Sequence, residues 1–227
     1  MKILITGASK GIGSFLMSKF ASEGNEVFGT YNSTVPSASD FNLVKVDITD
    51  TEEVKKWIEK TCTINDQIVL INCAGSNYNA FAHKAEIMKW KRVIDVNLVG
   101  TFNVISAVLP FMREKGYGRI VNFASIVPQK GVPGTSAYAA SKAGLWGLTK
   151  SIAAENAKKG ITINTLNLGY FDIGMITEVP EEILQGIIKT IPVQKLGNPE
   201  NIYTAVNFLI NSDYLNGTSI DINGGLF

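Results

Sequence analysis

The chain has 227 residues, 45% of them hydrophobic and 18% charged, a balance that suits one globular domain burying roughly 70% of its unfolded surface. Its 21 Lys and Arg against 20 Asp and Glu leave a formal net charge of +1, so no global field recruits nucleic acid or an anionic membrane. Two cysteines, Cys62 and Cys73, are too few for a disulfide framework, and only a local basic patch stays open as an electrostatic docking surface.

In chain order, Met1-Lys2-Ile3-Leu4-Ile5 runs straight into Thr6-Gly7, without the longer apolar stretch and small-residue cleavage site that a signal peptide needs, so none is expected. No apolar run approaches the ~20 residues of a membrane span. A cytoplasmic protein is expected, and Asn32-Ser33-Thr34 and Asn216-Gly217-Thr218 are then chance matches to a glycosylation triplet. Strands are predicted over 2–6, 26–31, 43–46, 67–71, 119–123, 162–166 and 218–222. Their nearly continuous apolar character (Ile68-Val69-Leu70-Ile71) suits strands covered on both faces. Helices are predicted over 13–23, 51–61, 85–96, 98–115, 136–158 and 199–209. The alternation spells an α/β fold: one domain over 1–227, a doubly wound parallel sheet of about seven strands with helices on both faces. The irregular stretch 169–197 suits a lid or substrate loop within that domain.

The first predicted strand ends in Thr6-Gly7-Ala8-Ser9-Lys10-Gly11-Ile12-Gly13, and a helix follows. Such glycines permit a tight turn and let backbone N–H groups approach a phosphate at the helix N-terminus. The spacing is neither the usual dinucleotide Gly-x-Gly-x-x-Gly nor a P-loop, and an ordinary βα turn stays open. Gly7-Ala8-Ser9-Lys10-Gly11 also fits the Gly-x-Ser-x-Gly nucleophile elbow. An elbow on the first strand has too little sheet before it, and His83, the chain's one histidine, lies in a Gly/Asn-rich region that reads as surface.

Ser125 follows the fifth predicted strand, and thirteen residues later comes Tyr138-Ala139-Ala140-Ser141-Lys142 on a long helix. Tyr138 and Lys142, four apart, share one helical face. An ammonium about 4 Å from a phenolate is worth on the order of 4 kcal/mol at an effective dielectric of 20, or up to ~3 pKa units. That would bring a phenol toward neutrality as a general acid or base. By itself Tyr-x-x-x-Lys is commonplace, and a plain helix-surface pair stays open.

The combination is more telling. Thr-Gly-x-x-x-Gly-Ile-Gly at the start, Asn72-Cys73-Ala74-Gly75 after the fourth strand, Ser125 and Tyr-x-x-x-Lys together resemble the short-chain dehydrogenase/reductase family in its compact, Rossmann-like form. The resemblance extends to Asp47-Ile48, Asn97, Asn164 and the terminal Ile222-Asn223-Gly224-Gly225. It implies hydride transfer between a nicotinamide and a carbonyl or alcohol, with Asn97, Ser125, Tyr138 and Lys142 as catalytic set. Tyr138 would protonate the carbonyl oxygen, and Lys142 would lower its pKa and bind the nicotinamide ribose. Ser125 would position the oxygen, and Asn97 would hold a water in the proton relay. Cofactor contacts would come from Gly7, Ser9, Lys10, Gly11, Ile12, Gly13, Tyr31, Asn32, Ser33, Asn72, Ala74, Gly75, Tyr138, Lys142, Gly169 and Phe171, with Asp47 and Ile48 on the adenine side. Cys73 stands where the family often has Asn and reads as a buried filler. No metal is implied.

The second predicted strand ends Gly29-Thr30-Tyr31-Asn32-Ser33, with no carboxylate before Asp40. An NAD site usually places Asp or Glu there for the ribose hydroxyls. Asn32, Ser33 and Thr34 offer donors instead, and Lys10 adds a cation, so NADP (NADPH) is expected. Among family members the pattern is closest to β-ketoacyl-(acyl-carrier-protein) reductases, on 191–200 and 215–225. A small-molecule or carrier-bound carbonyl is therefore the expected substrate, with reduction of a sugar or small ketone, or a nucleotide sensor without turnover, as alternatives. Tyr170, Phe171, Met175, Ile176, Ile183, Ile187 and Ile188 make the lid apolar. Arg113, Lys115, Lys158 and Lys159 form either a docking patch for an acidic carrier protein or solvated helix ends. The family usually assembles as tetramers through its long helices and last strand; a homotetramer or homodimer is expected. The chain departs from the family's Pro-Gly-x-Ile/Val-x-Thr, with Leu168 for the proline and Ile173 for the threonine that grips the nicotinamide carboxamide.

Overall fold

The computed structural model describes residues 1–34 and 42–226, the side chains of Met175 and Glu178 excepted. Asp40, Phe227 and the Met175 side chain lie outside the described residues. Seven strands form one parallel sheet: β1 (Lys2–Thr6), β2 (Glu26–Tyr31), β3 (Asn42–Lys45), β4 (Ile68–Asn72), β5 (Gly118–Ser125), β6 (Ile161–Leu168) and β7 (Ser219–Ile222). They lie in the order β3-β2-β1-β4-β5-β6-β7, so the winding reverses between β1 and β4. Ligands of open α/β sheets bind at such a reversal, beyond the carboxyl ends of the strands.

Alternation along each strand feeds two cores. Ile3 and Ile5 of β1 and Val69 and Ile71 of β4 join Leu16, Met17 and Phe20 of α1 (Gly11–Ser22) on one face. Leu4, Ile68 and Leu70 point the other way, onto Val54 and Ile58 of α2 (Thr51–Thr61). The Asp50 carboxylate accepts from the Glu52 and Glu53 N–H groups and so starts α2. Further along come α3 (Ile87–Ile94), α4 (Thr101–Lys115), the single turn α5 (Val127–Lys130), α6 (Ser136–Asn156), α7 (Glu181–Thr190) and α8 (Pro199–Asn211). Both α4 and α6 cover the α2 face, whereas α8 joins α1.

Most element ends lie within two residues of the sequence reading, and three differences bear on the site. First, β5 runs on through Ser125 and β6 to Leu168, because Ser125 and Leu168 are still partners in the ladder; that pairing lies between residues 43 apart in the chain, which a local apolar run does not report. Second, the helices predicted over 85–96 and 98–115 are one rod, Ile87–Lys115, joined by a π-helical turn at Asp95–Gly100. This 29-residue helix is apolar enough, at mean hydropathy 1.6 over its best window, to cross a membrane by length and composition. That corrects the expectation that nothing here approaches a span. The inner face of α4, with Val104, Ile105, Val108 and Met112 fully buried, is committed to the second core. Third, 169–197 is not wholly irregular: it holds a 3-10 turn (Gly174–Glu178) and α7. A parallel bridge between Phe171 and Gly197 ties its two ends together.

Candidate active site

The glycine loop lies at the β1/β4 reversal. Gly7 has φ +65°, and a Cβ built on it would fall 2.7 Å from Ala74 Cα; one on Gly13 would fall 2.3 Å from the Gly7 carbonyl oxygen. Backbone therefore packs on backbone, and the Thr6 hydroxyl ties the two turns by accepting from Ala74 N–H at 3.2 Å. Lys10 caps α1 without a side-chain capping bond, and no acid stands in the first turn, so the leading N–H groups of α1 suit an anion. In front of them is a cleft of about 490 Å³ lined by Lys10, Gly11, Ser14, Phe15, Asp172, Ile173, Gly174 and Thr177. Ser9 and Gly11 are half-buried, and Ile12 packs on the first core. Tyr31 closes β2, with Asn32 and Ser33 exposed just beyond it. These residues suit a dinucleotide: the leading N–H groups of α1 face the cleft with no acid beside them, and Gly7 and Gly13 let the loop pack backbone on backbone.

Ile48 is buried and Asp47 is tightly held. Asp47 Oδ1 accepts from Thr49 N–H (2.9 Å) and Oγ1 (2.7 Å), and Oδ2 accepts from Arg92 at 2.9 Å. Burial opposes ionisation, but Thr49 and Arg92 outweigh it and hold the carboxyl at about 2. Nothing in the sequence pattern pointed to Arg92, which comes from α3.

At the ends of β5 and β6, Ser125 closes its strand rather than following it, and its Oγ accepts from Val127 N–H at 3.2 Å. Tyr138 sits in the first turn of α6. Lys142 is buried; its Nζ donates to the Phe123 carbonyl at 2.7 Å and lies 5.7 Å from the Tyr138 ring centroid. Gly75 leaves room for it: a Cβ there would stand 3.7 Å from Lys142 Nζ and 3.4 Å from Asn97 Oδ1. Asn97, in the π-helical turn, grips Ser76 at both backbone groups, accepting at 2.7 Å and donating at 2.9 Å, and also donates to Ser141 Oγ at 3.0 Å. Both amide hydrogens and one lone pair are thus used, leaving one lone pair of Oδ1 for a water. Ser141 stands inside the motif Tyr-x-x-Ser-Lys, the one sequence signal that could have disclosed this partner. Gly169 backs onto Asn223, where a Cβ would come within 2.7 Å of its Cα, and Phe171 is buried in the first core.

The expected electrostatics need correction. Burial pushes the Tyr138 phenol above its ordinary value, with the Ser125 hydroxyl acting the other way. Burial also draws Lys142 down to about 8. The expected lowering of the phenol requires the Lys142 charge to outweigh desolvation of the phenolate, whereas here both groups are buried and burial dominates. Cys73 is half-buried against the first core, and burial raises its thiol pKa. Ile173 likewise packs on that core. His83 is exposed and stacks on Phe81. Arg113, Lys115, Lys158 and Lys159 lie at the far end of α4 and α6 from Tyr138, about 30 Å along α6 at 1.5 Å per residue. Arg113 is bound there to Asn156 Oδ1 at 2.6 Å.

A seven-stranded parallel α/β sheet, with a glycine cradle at its winding reversal and Ser125, Tyr138 and Lys142 around the ends of β5 and β6, defines an oxidoreductase of the Rossmann-like class. The chain belongs to the short-chain dehydrogenase family, whose sequence profile, described as short chain dehydrogenase, matches residues 1–184. It is 37% identical over 234 residues to the acetoacetyl-CoA reductase of Shinella zoogloeoides, covering 99% of this chain and 97% of that one. It is also 37% identical over 236 residues to the 3-oxoacyl-[acyl-carrier-protein] reductase of Thermotoga maritima, covering 98% and 96%. The ligand-free structure of Thermoplasma acidophilum aldohexose dehydrogenase superposes with a TM-score of 0.89 at 27% identity, covering 99% of this chain and 93% of that one.

Proposed function

We propose that the protein reduces the keto group of a β-ketoacyl thioester, CoA-linked or carrier-bound, with NADPH. The observation that carries the substrate class is the 37% identity, over nearly the full length, to relatives named for acetoacetyl-CoA and 3-oxoacyl-carrier substrates. A nicotinamide, when bound, supplies the hydride. The chain does the rest. Tyr138, held protonated by burial, gives its proton to the carbonyl oxygen, which the Ser125 hydroxyl orients. The Lys142 ammonium, which keeps two N–H donors beyond its bond to the Phe123 carbonyl, offsets part of the cost of the resulting phenolate, and Asn97 supports the water that returns the proton. The preference for NADPH rests on Asn32 and Ser33 at the end of β2 and on Lys10 at the glycine loop.

The decisive experiment follows NADPH oxidation by the purified protein with acetoacetyl-CoA, acetoacetyl-carrier protein, simple ketones and keto-sugars. Turnover of the two thioesters at the highest kcat/KM supports this reading, and turnover of ketones or sugars alone defeats it. Sugar oxidation is the second reading, favoured by the fold likeness to the aldohexose dehydrogenase. We further propose a cytoplasmic homotetramer or homodimer that binds neither nucleic acid nor membrane. Val99 and Phe102 on the outer face of the long rod, and Phe208 on α8, are exposed apolar groups that a partner subunit would cover. Sedimentation showing only monomer at micromolar concentration would refute the assembly.

A further inference from the structure

One level of the sheet, at the carboxyl ends of β1 and β4, is polar where the apolar face of the second core ends. Thr6 of β1 stands opposite Asn72 of β4, Asn72 opposite Asn122 of β5, and Asn122 opposite Thr165 of β6. Thr6, Asn72, Asn122 and Thr165 are all buried, and two residues back on the same strands stand Leu4, Leu70, Ile120 and Ile163 of the second core. Burying polar groups there is costly unless each finds a partner. Asn72 Nδ2 donates to Asn122 Oδ1 at 2.9 Å, and Asn122 Nδ2 donates to Thr149 Oγ1 at 3.1 Å. The Thr149 and Thr165 hydroxyls meet at 2.8 Å. Asn72 Oδ1 has no partner among the described residues.

Thr149 is the only member not on the sheet. It lies on α6 seven residues beyond Lys142 and eleven beyond Tyr138, which is two and three helical turns on one stripe. Apolar contacts tolerate a helix that slides or rolls, whereas a hydrogen bond to a fixed amide does not. We propose that Asn122 and Thr149 are positioning residues that set the axial place and roll of α6 on the sheet, and through it the place of Lys142 and Tyr138. The same strand takes part at the next level, where Phe123, adjacent to Asn122, accepts the Lys142 Nζ bond. The inference rests on reading Tyr138 and Lys142 as the reacting pair.

The test is Thr149→Val, which keeps the shape and removes the hydroxyl, with Thr149→Ser as the rescue. With acetoacetyl-CoA and NADPH, the Val variant is expected to lose about tenfold in kcat with KM for NADPH within twofold. The Ser variant should return to within twofold of wild type. A second readout needs no substrate: the pH midpoint for acylation of Lys142, read by peptide mass spectrometry, should rise from about 8 toward the ordinary lysine value in the Val variant as the ammonium gains water. Val54→Ala, in α2, serves as the control for lost packing and should leave both readouts unchanged. If Thr149→Val does not fold, Thr165→Val is measured instead and should lower kcat two- to threefold. An unchanged kcat and midpoint in the folded variant, or equal losses in Val54→Ala, would overturn the proposal. A wild type that does not reduce acetoacetyl-CoA would count against the function proposed above, while the acylation comparison would still decide this one.

Discussion

Gly11 and Gly174 touch backbone to backbone: a Cβ on Gly11 would lie 3.2 Å from Gly174 Cα, and both residues hold left-handed φ, +57° and +76°. The segment after β6 thus rests on the glycine loop, and a side chain on Gly11 would push Gly174 aside by a few tenths of an ångström. Gly24, at φ +79° with nothing within 4 Å of its notional Cβ, gives the matching case without crowding. Gly24→Ala should cost about 1 kcal/mol, for the left-handed conformation alone. Gly11→Ala should cost more and weaken NADPH binding about tenfold. Denaturant melts and fluorescence titrations of both variants check this, and equal behaviour would show that the lid contact is soft.

Tyr138→Phe removes only the phenolic hydroxyl. Turnover should fall by ~10²–10⁴, the usual share of general acid catalysis, with the circular dichroism spectrum and NADPH affinity preserved. More than a tenth of wild-type kcat would remove Tyr138 from the mechanism.

Cofactor choice should favour NADPH over NADH in kcat/KM, since the end of β2 offers Asn32 and Ser33 and no carboxylate among the described residues. Lys10→Ala should narrow that preference by weakening the NADPH arm. Comparable use of both cofactors by the wild type would contradict the assignment.

Lys142 makes a pH-dependent demand on the fold. Its folded pKa, about 8, lies below the ordinary 10.5, so between those values the unfolded chain binds more protons and stability rises with pH. Below 8 the buried ammonium is charged in both states and its penalty is fully present. Lys142→Met should therefore be most stabilising, relative to wild type, at pH 7, and the difference should shrink by up to about 3 kcal/mol toward pH 10. Urea melts of the two proteins across that range give the comparison. A difference independent of pH would show that Lys142 is hydrated.

Much of this was legible in the sequence because it is local. The β1 and β2 spans, the α2 span, and the shared face of Tyr138 and Lys142 all follow from spacing within a few residues. What stayed hidden depends on groups far apart in the chain. Joining the two predicted helices into one rod places Asn97 in a π-helical turn against Ser76 and Ser141, which no periodicity announces. The Arg92–Asp47 pair spans 45 positions. The raised Tyr138 pKa follows from burial, which a helical spacing does not report.

The bridge between Phe171 and Gly197 has a bearing on how this scaffold diversifies. Asp172 N–H donates to the Gly197 carbonyl at 3.0 Å, and Gly197 N–H donates to the Tyr170 carbonyl at 2.9 Å. The segment between is thereby a closed cassette whose ends meet independently of its contents. Doubling the length of such a loop costs only ~0.6 kcal/mol in closure entropy. An insertion around the exposed α7 should accordingly leave β6, α8 and the stripe of α6 that carries Tyr138 in place, whereas Asp172, Ile173, Gly174 and Thr177 are fixed by the cleft at the glycine loop.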